Sequence, residues 1–185
     1  YRFEGLPMLN YLYLSYNRIS TIAAGVFDDL ESITHIYIEY NRITSLDREV
    51  FSRLKTLTHL YLRNNKISSI DPEAFNGMIK LENIYLNNNR LKSINTEIFN
   101  GLTSLSNLEL NSNEITSIPT VFYGLSNLLY LRMSNNQISS LSSNQFASLP
   151  NLRTLYLGWN KIASIDPETF DGSFNIINIE LNDNL

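Results

Sequence analysis

One pattern of apolar residues returns every 24 positions along nearly the whole chain, and it leaves few folds open. From its first full copy it runs Leu9, Leu12, Leu14, Asn17, Ile19, Ile22, Phe27 and Leu30. One period later it runs Ile33, Ile36, Ile38, Asn41, Ile43, Leu46, Phe51 and Leu54. Further copies start at Leu57, Leu81, Leu105, Leu128, Leu152 and Ile176, and the spacing is 24 throughout except for 23 between Leu105 and Leu128. An asparagine column (Asn17, Asn41, Asn65, Asn89, Asn113, Asn136, Asn160, Asn184) and a phenylalanine column (Phe3, Phe27, Phe51, Phe75, Phe99, Phe122, Phe146, Phe170) secure the alignment. A unit this short cannot bury its own apolar face, so the copies must stack into one continuous core. The expected organisation is one domain over 1–185: a partial repeat at 1–8, repeats starting at 9, 33, 57, 81, 105, 128 and 152, and a partial repeat at 176–185.

Each column has a physical reason. In Leu60-Tyr61-Leu62 the alternation sends the leucines inward and the tyrosine outward, as in a strand with one buried face. Stacked copies of that strand make a parallel sheet with a strand spacing of about 4.8 Å. The asparagine follows the strand where the chain turns, and its amide can satisfy backbone groups that the turn would otherwise bury unpaired. The phenylalanines fill the wider far side of each coil. There, Asp71-Pro72-Glu73 and Asp166-Pro167-Glu168 predict short helical starts, with aspartate as cap and proline in the first turn. Pro119, in the one shortened repeat, predicts an extended far-side segment instead. A thin sheet on one side and bulkier segments on the other predict an arc with its sheet on the concave face.

Composition narrows the function. Hydrophobic content is 43% and charged content 17%, enough apolar material for a folded domain. The net charge of -4 argues against nucleic acid as the main partner, because phosphate backbones call for a basic stripe. No apolar run is long enough to span a membrane, and the opening Tyr1-Arg2-Phe3 is not a secretory leader. The absence of cysteine removes disulfides, thiolate zinc sites and thiol nucleophiles together.

The spacing L-x-x-L-x-L-x-x-N-x-L with a later F-x-x-L resembles the leucine-rich-repeat superfamily over essentially all residues. The 24-residue length and the segment Gly25-Val26-Phe27-Asp28-Asp29-Leu30 resemble its extracellular members: Toll-type receptors, Slit-like guidance proteins, small leucine-rich proteoglycans and the variable lymphocyte receptors of jawless vertebrates. The resemblance implies a curved α/β solenoid, a horseshoe with a parallel concave β-sheet and an irregular or short-helical convex side. It also implies an extracellular or cell-surface setting and an immune-type receptor role. Extracellular arrays of this kind are usually closed by cysteine-stapled caps; none is present here, which suggests a fragment or ends covered by something else.

Function is sought at the positions that the repeat leaves free. Four per repeat project from or beside the strand, and they hold nine of the eleven tyrosines, both histidines and the single tryptophan. The candidate ligand-binding residues are Tyr11, Tyr13, Tyr16, His35, Tyr37, Tyr40, His59, Tyr61, Arg63, Tyr85, Tyr130, Arg132, Tyr156 and Trp159. Tyr13, Tyr37, Tyr61 and Tyr85 share one column and predict an exposed ladder, while Trp159 and Tyr156 near Tyr130 and Arg132 predict a second anchor. Tyrosine brings a large apolar face and a hydroxyl while freezing few rotors, which suits a binding surface. The competing reading is that tyrosine is simply a good strand residue on a solvated sheet.

His35 and His59 are expected side by side near Glu39, yet a catalytic zinc needs three protein ligands, so no metal and no cofactor is assigned. There is no phosphate-binding glycine loop, and Glu109 and Glu180 are three repeats apart, too far for paired acid–base work. The chain is therefore expected not to be an enzyme. The expected partner is a protein or peptide, with a glycan as a further class; the alternative is a structural or adhesive homodimer formed through the same face or an open end. The absence of any Asn-x-Ser/Thr site lowers the expectation of a heavily glycosylated ectodomain.

Overall fold

The computed structural model describes residues 3–48, 50, 51, 53–119, 122 and 124–185. Its strands are β1 (Tyr11–Tyr13), β2 (His35–Tyr37), β3 (Ser45–Leu46), β4 (His59–Tyr61), β5 (Ser69–Ile70), β6 (Asn83–Tyr85), β7 (Asn107–Glu109), β8 (Tyr130–Arg132), β9 (Ser140–Leu141), β10 (Thr154–Tyr156), β11 (Ser164–Ile165) and β12 (Asn178–Glu180). Eight of them form one parallel sheet in the order β1-β2-β4-β6-β7-β8-β10-β12. Two short pairs, β3–β5 and β9–β11, form further along the coil. The register follows the repeat: Tyr11 faces His35, His35 faces His59, His59 faces Asn83, and so on.

Burial explains why these segments are strands. Leu12, Ile36, Leu60, Ile84, Leu108, Leu131 and Leu155, the middle residues of the first seven strands of the long sheet, all point into the core. Phe27, Phe51, Phe75, Phe99, Phe122 and Phe146 are fully buried on the far side of the coils. Their rings follow one another at wider intervals than the strands do: 5.9 Å from Phe27 to Phe51, 6.2 Å from Phe51 to Phe75 and 6.5 Å from Phe99 to Phe122.

The asparagine column does what its chemistry suggests. Asn113 Nδ2 donates to Leu86 O and Leu110 O, each at 3.0 Å, and Asn113 Oδ1 accepts from Leu91 N at 3.0 Å. One side chain thus ties its own turn to the preceding repeat. Asn41, Asn65, Asn89, Asn136 and Asn160 repeat the arrangement.

The α/β expectation needs correction, because the coils carry almost no helix. Among the described residues the only helical element is a 3-10 turn over Thr96–Phe99, capped by Asn95, whose side chain accepts from Glu97 N. Asp71 and Asp166 do cap, accepting from Glu73 N at 2.8 Å and Glu168 N at 2.9 Å, but the segments after them remain turns. Left-handed Gly77 and Gly172 (φ +81° and +79°) reverse the chain before a second helical turn can form. The far side after Pro119 was expected to be extended; Thr120, Val121 and Tyr123 there lie outside the described residues.

Candidate functional site

The outer face of the long sheet carries four columns, set by the two-residue period of the strand and the turn that follows it. The second column is the tyrosine ladder. Tyr13, Tyr37, Tyr61 and Tyr85 stack nearly parallel, with ring centroids 4.6, 4.4 and 4.5 Å apart. Tyr13 is open to solvent, whereas Tyr37, Tyr61 and Tyr85 are half-buried. The expected exposed ladder is thus exposed at one end and closed ring on ring through its length. Burial raises the Tyr61 phenol well above its ordinary range, helped by the phenols of Tyr85 and Tyr37. Tyr37 is also raised, first by burial. The ladder ends at Glu109, which pairs with Arg132 at 3.0 Å. The Arg132 guanidinium in turn lies 4.9 Å over the ring of Tyr156.

The first column holds the histidines. His35 and His59 stack face to face, 4.3 Å apart and 10° from parallel, and Tyr11 covers His35 at 4.7 Å. Each ring is fixed by the threonine before it. Thr34 Oγ1 gives its proton to Asn10 O and Thr58 Oγ1 gives its own to Thr34 O, so each hydroxyl oxygen accepts from an imidazole Nδ1 at 2.9 Å. Asn83 Nδ2 lies 2.9 Å from His59 Nε2, within hydrogen-bond distance. Burial and the neighbouring His59 hold His35 below the ordinary histidine range, against the pull of Glu82. The rings face one another and do not converge on a point where an ion could sit. Thr34 and Thr58 were not among the sequence candidates, although the Thr-His pair repeats at the 24-residue period.

The third column departs most from expectation. Glu39, counted among the projecting positions, is only 7% exposed. Its Oε2 accepts from Ser15 Oγ at 2.9 Å, and its Oε1 stands 3.5 Å from Arg63 Nη2, a loose ion pair. Asn87 and, in the first column, Thr154 are buried as well. Further along the third column, Gly158 lets the next repeat approach closely, since a Cβ there would lie 2.6 Å from the side-chain oxygen of Asn182 and 3.1 Å from its carbonyl oxygen.

The fourth column, just past the strand, is left-handed throughout. Tyr16, Tyr40, Asn64, Asn88, Ser112, Asn135, Trp159 and Asp183 all have φ between 55° and 59°. Asparagine tolerates this region, but bulky aromatic residues do so at a cost. Even so, Tyr16, Tyr40 and Trp159 are 75%, 40% and 61% exposed, so the core gains little from them. Tyr16 and Tyr40 stack 4.4 Å apart at 8°. The Tyr16 phenol is raised by desolvation and by the Tyr40 phenol, with Arg63 pulling it down and Glu39 pushing it up.

Ten of the fourteen sequence candidates therefore share one patch on β1, β2, β4 and β6: Tyr11, Tyr13, Tyr16, His35, Tyr37, Tyr40, His59, Tyr61, Arg63 and Tyr85. Tyr130, Arg132, Tyr156 and Trp159 form a second group on β8 and β10, beyond the polar strand β7. Arg132 and Tyr156 are in contact, and Tyr130 sits beside Thr154.

No curated protein matches the chain by sequence. Among solved structures, the chain is similar to TLR13 in its complex with a single-stranded RNA: 27% identity, TM-score 0.83, over 95% of this chain and 24% of that one. It is similar to Toll in the Toll–Spätzle complex of Drosophila: 27% identity, TM-score 0.84, over 98% of this chain and 25% of that one. A leucine-rich-repeat protein of Leptospira interrogans matches at 25% identity and TM-score 0.76, over 92% of this chain and 42% of that one. The chain thus spans about a quarter of the Toll-type chains it matches. Because one of these relatives is complexed with RNA, the fold by itself does not exclude a nucleic-acid partner. The family model for the leucine-rich repeat matches residues 2–43, 34–91, 79–138 and 119–162, and the chain belongs to the leucine-rich-repeat family.

Proposed function

We propose that this chain is a non-catalytic recognition module, part of an extracellular or cell-surface receptor of immune type, that binds a protein or peptide on the tyrosine-bearing face of its long sheet. The observation that carries the reading is the fourth column. Tyr16, Tyr40 and Trp159 occupy left-handed positions where asparagine stands in other repeats, at a cost of about 1–2 kcal/mol each. Exposed residues held at such a cost point to use at a surface and not to stability. The charges of the face favour protein over nucleic acid. Arg132 pairs with Glu109 at 3.0 Å and Arg63 lies 3.5 Å from Glu39, so each arginine among the candidates stands beside a carboxylate and the two form no basic stripe for phosphates. Kinship with Toll-type receptors supports the receptor setting.

We infer further that the sheet is the inner wall of an arc. On the sheet side, successive rings are 4.3–4.6 Å apart in the ladder and the histidine pair, while the far-side phenylalanines are 5.7–6.5 Å apart. Layers wider on one side than the other bend the stack toward the narrow side. A concave face would let both aromatic groups touch one partner.

The test is capture from candidate ligand pools by the wild-type chain and by a Tyr37→Ser/Tyr61→Ser variant, at a temperature well below the variant's melting point, which the loss of the stacked rings should lower. A ligand held by the wild type and lost by the variant places the site on the ladder. Equal capture by both removes the ladder from the site, and a mass that rises with protein concentration would instead favour pairing between copies.

A further inference from the structure

Two tyrosine rows flank the third column where it begins. Tyr13 and Tyr37 stack on one side, Tyr16 and Tyr40 stack on the other, and Ser15 and Glu39 lie between them in the chain. Burial raises the phenols of Tyr37 and Tyr16, and the Glu39 carboxylate adds the smallest of the contributions to each. A carboxylate this deeply buried needs partners on both oxygens, and here one of the two is held only loosely. It accepts one hydrogen bond, from a neutral hydroxyl, and its other oxygen sees Arg63 only at 3.5 Å. The Arg63 side chain is itself 45% exposed.

We propose that this slot receives a lysine or arginine side chain of the partner, its stem between the tyrosine edges and its cationic head on Glu39. The inference rests on the reading of this face as a binding surface and adds the chemistry of its central contact. An ammonium or guanidinium there would form the charge-assisted hydrogen bonds that Glu39 Oε1 lacks. Because the stacked rings use their faces on one another, the walls offer edges and hydroxyl oxygens. An aliphatic stem packs against such walls while its charge reaches the floor. Arg63 is the competitor within the chain, displaced toward solvent when the partner's cation enters.

The fourth column supplies a control that separates binding from folding. Asn64 and Asn88 hold the same backbone position in the next two repeats, so Tyr16→Asn/Tyr40→Asn removes one wall of the slot while suiting the backbone better.

The experiment titrates α-N-acetyl-lysine amide and α-N-acetyl-arginine amide into the whole chain and follows the ring resonances of Tyr13, Tyr16, Tyr37 and Tyr40 and the Glu39 carboxyl carbon. α-N-acetyl-norleucine amide, which has the stem without the charge, is titrated in parallel. At least one cation should give saturable shifts and bind about tenfold or more tightly than norleucine, the margin expected of a charge-assisted contact. Glu39→Gln should abolish that margin, whereas Glu114→Gln, on an exposed side chain outside the four columns, should keep it. Arg63→Gln should tighten binding, and Tyr16→Asn/Tyr40→Asn should weaken it without lowering the melting temperature. Norleucine binding as well as both cations, undiminished cation binding to Glu39→Gln, or no saturable shift with any probe would each overturn the proposal. If the ladder variant still loses a captured ligand in that case, the binding face stands and only its cationic contact is lost.

Discussion

Asn113 shows how much one side chain holds at the scale of a residue. Four backbone groups from two repeats end on its carboxamide. Asn113→Leu keeps the volume but leaves Leu91 N unpaired in the core and takes from Leu86 O and Leu110 O one of the two amide donors that each has, and should cost about 1–3 kcal/mol in chemical denaturation. A loss well below that range would mean that the turn finds other partners. This role was legible in the sequence, because an invariant amide after a strand has few other uses. The left-handed backbone one residue earlier was not read, although Asn64, Asn88 and Asn135 in that column carried the signal. The burial of Glu39 was not legible at all. Strand alternation assigns it outward, and its carboxylate meets Ser15 and Arg63 of the adjoining repeats, contacts that one copy of the repeat does not contain.

The strand is the smallest unit in which the columns acquire shared properties. Parallel pairing in register brings His35 onto His59, and the Thr34 and Thr58 hydroxyls set both rings in the same orientation. His35 is held below its ordinary value, so the unfolded chain takes up a proton there more readily than the folded one. Its contribution to stability is complete above about pH 6.5 and is lost as pH falls toward the lower folded value. The imidazole resonances of His35 should titrate below the random-coil midpoint, and His59→Asn should move that midpoint upward by removing the second ring. An unchanged midpoint would mean that burial alone sets it. Strand positions and their register were legible from the 24-residue period. The helical starts at Asp71 and Asp166 were misjudged, because a good cap does not make a helix where Gly77 and Gly172 turn the chain back so soon.

The whole molecule has the simplicity of a stack, in which each coil touches only its neighbours. If the difference between ring spacings on the two sides is carried through every layer, solution scattering should fit an arc better than a straight rod of the same length. A straight rod would remove the concave surface and leave the two aromatic groups facing separate partners. The kind of fold could be read from repetition alone, since nothing but a solenoid buries eight copies of one short pattern. Which of its surface residues are strained, covered or paired could not be read, because those properties depend on contacts between copies that a single copy does not contain.

In-register pairing has a consequence for how such a surface can change. From the Tyr16–Tyr40 pair on β1 and β2 to Trp159 after β10 there are five strand-to-strand steps counted from β2, about 24 Å along the sheet. Losing or duplicating a whole repeat alters that distance by about 4.8 Å and leaves every column aligned, whereas adding a single residue within a strand would flip its side chains to the opposite face. The surface behaves as a ruler with fixed graduations: its lineage can lengthen or shorten the gap between the two aromatic groups only by whole marks, and a partner that spans both must match one of them.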